Sequence, residues 1–450
     1  MKQKQWLLTL SVLLVVACQR GTEPTATPLH PSASVNSNAA QTPAFERTWG
    51  GTSGDNAQGV ALGSDGSIYV TGITFSFSAS EDEAFLLKYG PDGTLLWQRT
   101  YSGERAVSGR DVAVHTDATG TDAVYVTGSF FNSSFLARFD TEGNLIWQQT
   151  WGGDSEFTQA VAVAPDGSVY IAGGTFSLGS GGGDVALVKF ASNGSFLWDR
   201  TWGGPINESA RDVAVAADGS IYVAGEGNSF FGNDAIVLKF APNGSLIWER
   251  DRRTGNREDF GAALGVATAA DGSIYIAGTF LNSGVGQEVF LANITADGAL
   301  VWERTWGSHN DVGLDVAIGP DGNIHVTGAT AFGQGGSPAF GGDAFAATFL
   351  PSGRVRVAQS WGGTGNDEGQ AIAVGPDGSI YVAGSVEAPP YVLDNARKTT
   401  RSTDAFLDVP LGIVTEPHAT VGIPNGTVEA VNGSETYAGA TDAFLIKITR

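Results

Sequence analysis

From residue 44 onward, runs of four to eight apolar residues alternate with clusters of Gly, Asp, Asn and Ser. Over 212–250 the runs are Asp212-Val213-Ala214-Val215, Ile221 to Gly225, Ala235 to Phe240 and Leu246 to Arg250. They are rich in β-branched and aromatic residues and are punctuated by Asp-Gly or Asn-Gly, pairs that join strands in tight hairpins. No segment carries a helical period. A phrase of the form Ser-Ile-Tyr-Val-Thr-Gly recurs at anchors Tyr69, Tyr125, Tyr170, Tyr222, Tyr275, His325 and Tyr381, with a mean period of about 52 residues. Glycine stands three residues after every anchor. Four short strands per period, seven times over, predict an all-β, seven-bladed β-propeller of four-stranded antiparallel blades.

The two ends of the repeat predict how the ring closes. Phe45-Glu46-Arg47-Thr48-Trp49 copies the outer strand seen at 96–101 and 302–306, with no blade before it. The last repeat reaches Arg450 after a third strand, Asp442 to Ile448, with no fourth. Pairing the two completes the last blade and removes two exposed edges. Residues 387–441 are far longer than the loop the repeat needs there. They read as an insertion in the last blade, because they lack the Asp-Gly turn and the Trp-Gly-Gly corner. The alternative is a degenerate eighth blade, suggested by a second Asp404-Ala405-Phe406-Leu407.

The phrases Trp-Glu-Arg-Thr-Trp-Gly (302–307), Val-Ala-Val (213–215), Asp-Gly-Ser-Ile-Tyr-Val-Ala-Gly (377–384) and Asp-Ala-Phe-Leu-Ile-Lys (442–447) resemble the bacterial β-propeller repeat often labelled SBBP. The resemblance spans nearly all of 44–450. It implies the fold and no common activity.

Residues 1–17 combine a basic start with an apolar stretch from Trp6 to Ala17, the form of a secretory signal and too short to span a bilayer. Val15-Val16-Ala17-Cys18 resembles the lipobox of bacterial lipoproteins. That resemblance implies a signal peptide over 1–17, a lipidated Cys18 and attachment to the cell envelope. Gln19 implies the outer membrane where the organism has one. An ordinary signal peptide or an uncleaved anchor is the alternative. Residues 18–43, rich in Thr, Pro, Ser and Ala, read as a flexible linker.

Composition narrows the chemistry. Cys18 is the single cysteine, so the repeat region holds neither a disulfide nor a thiol nucleophile. A net charge of −22 excludes nucleic acid as a partner. Two tryptophan rows, Trp97, Trp147, Trp198, Trp248, Trp302 and Trp49, Trp151, Trp202, Trp306, Trp361, recur at fixed register, which suits packing between blades. His325 occupies a tyrosine position and reads as a core residue. Asp184, Asp234, Asp343 and Asp442 open third strands beside Gly-rich loops. They read as turn-holding carboxylates, with calcium binding the weaker alternative. No Ser-His-Asp order, metal-binding histidine pair or phosphate loop is present, so no catalytic or metal residue is assigned.

Loop length is the remaining functional signal. Connections between first and second strands, and between third and fourth, are uniform tight turns; the other two classes vary and emerge together on the opposite face. Function tends to sit on variable loops held by a rigid scaffold. The candidate binding face therefore carries Asp55, Glu104, Asp154, Glu208, Arg257, His309, Asp311, Asp367 and Glu368. The sequence reads as a binding or interaction module, anchored to the membrane by lipid, for an extracellular protein or glycan. A lyase- or glycosidase-type enzyme working in the central funnel, and a structural envelope component, are the alternatives.

Overall fold

The computed structural model describes residues 43–77, 82–101, 107–130, 133–153, 155–229, 232–251, 259–282, 286–307, 311–331, 342–362, 365–387 and 441–449. Expectations for Cys18, the leader, the linker and the core of the 387–441 segment lie outside them.

Local turn chemistry sets the hairpins. Each first-to-second and third-to-fourth connection among these residues uses the same five-residue turn, as in Gly63–Ser67 and Ala191–Ser195. The first residue's N–H donates to the fifth residue's carbonyl, and the fourth residue's N–H returns to the first, at 2.8 and 3.0 Å in Gly63–Ser67. The fourth residue is glycine with φ near +80° (Gly66, Gly93, Gly167), a conformation that costs other residues energy. The aspartate before that glycine often locks the turn, as Asp377 does by accepting from the Ser379 N–H at 2.9 Å.

These hairpins build seven four-stranded antiparallel sheets. The first six blades span Asp55–Tyr101, Val107–Trp151, Glu156–Trp202, Glu208–Asp251, Asp259–Trp306 and Val312–Trp361. Blade 7 takes three strands from Glu368–Val374, Ile380–Glu387 and Thr441–Ile448, and its outer strand from Pro43–Trp49. The closing register runs from Pro43 opposite Ile448 to Trp49 opposite Ala443. The N-terminal strand thus closes a seven-bladed ring as the sequence predicts, and the eight-blade alternative falls.

The core is a set of seams. Each apolar cluster spans two adjacent blades, such as Ala172, Leu187, Val213 and Leu238 between blades 3 and 4. Both tryptophan rows belong to these seams. The rings of Trp97, Trp147, Trp198, Trp248 and Trp302 pack 5.9–6.1 Å from those of Tyr69, Tyr125, Tyr170, Tyr222 and Tyr275. The indole N–H groups of Trp97, Trp248 and Trp302 reach carbonyls of the following blade, each at 3.1 Å. His325 is buried at 3% exposure with Nδ1 3.0 Å from Thr348 Oγ1, and burial pushes its pKa down to about 4.

The glycine after each anchor marks the closest approach of two strands. A Cβ on Gly72, Gly128, Gly173, Gly225, Gly278, Gly328 or Gly384 would overlap a backbone carbonyl of its blade's innermost strand. Only glycine fits there.

Candidate functional site

The innermost strands line the central channel, and every one carries a β-bulge at the same register, at Gln58, Arg110, Gln159, Arg211, Leu264, Leu314 and Gln370. A bulge re-aims the side chains around it. The residues that follow alternate around the ring: Gly59, Asp111, Ala160, Asp212, Gly265, Asp315, Ala371. Each aspartate binds its own strand and the next blade. Asp111 accepts from the N–H groups of Val112 at 2.7 Å and Val161 at 2.8 Å. Asp212 accepts from Val213 and Val266, both at 2.7 Å, and Asp315 from Val316 at 2.7 Å and Ile372 at 2.8 Å. The small residues between them leave the space, since a Cβ on Gly59 would lie 2.9 Å from the Asp111 backbone. The carboxylates thus staple blades 2 to 3, 4 to 5 and 6 to 7. The sequence reading missed them, although the alternation of Asp-Val-Ala with Gly-Val-Ala or Ala-Val-Ala is a visible signal.

Burial pushes Asp111 up to about 7, with the Asp315 charge adding to the rise, and Asp315 up to about 6. Asp212 is raised by burial and by both neighbouring carboxylates. Asp442 reaches about 6 through burial and the Asp55 charge. Turn carboxylates move the other way: backbone N–H donation from Ser379, Ser220 and Thr94 lowers Asp377, Asp218 and Asp92. Between about pH 4 and 7 the folded chain holds protons that the unfolded chain has lost, so stability rises as pH falls through that window. Below about pH 4 the turn carboxylates protonate and stability falls again. Melting temperature should therefore be higher at pH 5 than at pH 8; a melting temperature that falls as the pH is lowered from 8 to 5 would contradict these assignments.

Arg110 and Arg211 also project from the innermost strands. Arg211 donates to Glu226 Oε1 through Nε at 2.9 Å. Arg110 is lowered by burial and by the Arg211 charge, so the two guanidiniums feel one another. Among the described residues no three carboxylates or histidines gather as metal ligands.

The variable loops do emerge on one face, but the carboxylates expected to be displayed there are mostly buried. Asp55, Glu208, Asp311 and Asp367 are 0%, 4%, 2% and 1% exposed. Asp55 accepts from Gly51 N–H at 2.8 Å and Ser76 Oγ at 2.6 Å. Glu208 accepts from Gly204 N–H at 3.1 Å, and Asp367 from Glu387 N–H at 3.0 Å. Glu368 is half-buried and accepts from Gln370 Nε2 at 2.6 Å. Glu104, Asp154, Arg257 and His309 lie outside the described residues.

Convergence of two loops explains the burial. Asp55 and Asp442 both crowd the space beside Gly50, Asp184 and Glu208 that beside Gly203, and Asp343 and Asp367 that beside Gly362. These carboxylates are buried and hydrogen-bonded within the loops that carry them rather than displayed on the surface. Exposed apolar side chains mark the face instead: Phe75 at 43%, Phe176 at 56% and Leu178 at 42%. The rim also shows apolar residues, including Leu96, Ile146, Leu197, Ile247 and Val301 on the outer strands of blades 1 to 5.

Three stretches, residues 164–196, 216–246 and 269–300, match a family described as a domain of unknown function (DUF5122) beta-propeller. No curated protein matches the chain. Similar solved structures include a protein of unknown function from Bacteroides caccae, 14% identical over 56% of this chain and 82% of that one, with a TM-score of 0.38. Sqt1 from Chaetomium thermophilum is 11% identical over 76% of this chain and 82% of its own, with a TM-score of 0.47. A protein of unknown function from Dyadobacter fermentans is 10% identical over 91% of this chain and 99% of that one, with a TM-score of 0.46.

Proposed function

We propose that the chain is a lipid-anchored β-propeller of the SBBP repeat type whose variable loop face binds an extracellular protein or glycan. The carrying observation is the asymmetry of the disc. One face repeats a single five-residue turn, while the other varies from blade to blade and exposes Phe75, Phe176 and Leu178. Apolar and aromatic groups raised on rigid loops suit recognition.

The point where the chain enters the disc agrees with this. Pro43 lies opposite Ile448, which pairs with Ile380 just after the Gly375–Ser379 turn. The described chain therefore begins, at Pro43, on the turn face. Anchoring at Cys18 would therefore turn the turn face toward the membrane and the loop face away from it.

The funnel enzyme is favoured by Arg110 and Arg211 near Asp111 and Asp212. It is weakened because both oxygens of each aspartate are engaged by backbone N–H groups, and Arg211 is engaged by Glu226. Protein and glycan arrays, with and without calcium, probed with the purified protein, separate the two. Retention without turnover supports the binding module, whereas release of a cleaved glycan supports the enzyme.

A further inference from the structure

The seam between blades 1 and 2 leaves room that a tryptophan fills in three other seams. Trp49, Trp151 and Trp202 each extend from an outer strand into the following blade. Their indole N–H groups donate to Gln98 Oε1 at 3.0 Å, Asp199 Oδ2 at 3.1 Å and Glu249 Oε2 at 2.6 Å. Those three acceptors occupy one register position, opposite Leu87, Val188 and Leu238. Between blades 1 and 2 the indole is replaced by the smaller ring of Tyr101, and the acceptor position holds Gln148, opposite the small Ala137. Val107 stands where Asp55, Glu156, Glu208, Asp311 and Asp367 stand in blades 1, 3, 4, 6 and 7, so the loop-holding carboxylate is missing here, as it is in blade 5, where Gly261 takes the position. The result is a cavity of about 180 Å³.

Its walls are apolar, formed by Phe85, Phe135, Phe139, Val107 and Ala137, with Tyr101 and Gln148 also in the lining. Tyr101 packs on Phe139 with ring centroids 4.9 Å apart, leaving the remaining volume beside it. An apolar cavity near 150 Å³ stays dry and accepts a benzene-sized molecule. The neighbouring seams show what fits such a slot: a flat aromatic bicycle with one N–H aimed at the acceptor.

We propose that the cavity between blades 1 and 2 is a binding site for a small, flat, neutral aromatic molecule carrying one N–H donor, of which indole is the simplest. The ring fills the apolar volume, and the amide oxygen of Gln148 accepts the N–H.

Calorimetric titration of the purified protein with indole tests this, with indene as the ring of the same shape that lacks the donor. Saturable binding of one indole per chain is expected. Tyr101→Trp places the protein's own indole in the slot and should abolish binding, while Tyr101→Ala enlarges the slot and should tighten it. Gln148→Ala should weaken indole by about fivefold, the equivalent of one hydrogen bond, and leave indene unchanged. Absence of saturable indole binding, or equal affinity in the parent, Tyr101→Trp and Tyr101→Ala proteins, would overturn the site. An equal effect of Gln148→Ala on indole and indene would overturn its role as acceptor.

Discussion

Deleting residues 43–49 is expected to open the ring. The strand contributes Phe45 and Trp49, both less than 9% exposed, to the seam between blades 7 and 1. Trp49 lies 4.4 Å from the Phe85 ring and 5.0 Å from the Phe77 ring, and its indole N–H bonds Gln98. Loss of two buried aromatics alone costs about 6 kcal/mol or more, comparable to the whole stability of many domains. The deletion also bares the edge of Thr441–Ile448, whose inner residues are apolar. An exposed apolar edge is a template for association. Thermal melting and light scattering should show a collapsed transition and aggregation. An unchanged melting temperature in a monomeric protein would refute the closure.

Gly225→Ala is expected to be the most damaging single methyl group in blade 4. Its Cβ would overlap the Ser209 carbonyl oxygen and lie 3.1 Å from the Ala210 Cα, both in backbone that cannot swing aside. Relief requires parting the two inner strands, and Ala210 and Ala224 beside them are fully buried. We expect a loss of about 3 kcal/mol, the upper part of the range for overpacking, read from denaturant unfolding. Gly272→Ala provides the contrast: no atom lies within 4 Å of the added Cβ, so only the positive φ opposes it, and the loss should be about 1 kcal/mol. Equal losses at the two sites would contradict the close-approach explanation.

The ring was legible in the sequence because a propeller repeats its local instructions. The anchor tyrosines, the Asp-Gly turns and the orphan strand at 45–49 are each read from neighbouring residues, and each fell where expected. The glycine at 225 was equally visible as a pattern, but its reason lies in a carbonyl fifteen or so residues away. The candidate face was less legible. Asp55 and Asp367 follow Gly-rich loops and look solvated in sequence. Their burial comes from a second loop, carrying Asp442 or Asp343, that folds over the same glycine. Asp111, Asp212 and Asp315 were passed over for a similar reason: each acts on a backbone N–H some fifty residues ahead. The cavity beside Tyr101 depends on the side chains at 101, 107 and 137 together, which become one feature only when blades 1 and 2 meet.

The account's central claim is that a partner meets the loop face. Hydrogen exchange of the protein with and without a bound partner reads this directly, blade by blade. The account predicts slowed exchange in the loops around 50–54, 75–77, 176–183 and 203–207, with the turns at 63–67, 90–94, 164–168 and 191–195 unchanged. Protection confined to those turns, or to the channel strands around 110–112 and 211–213, would contradict it.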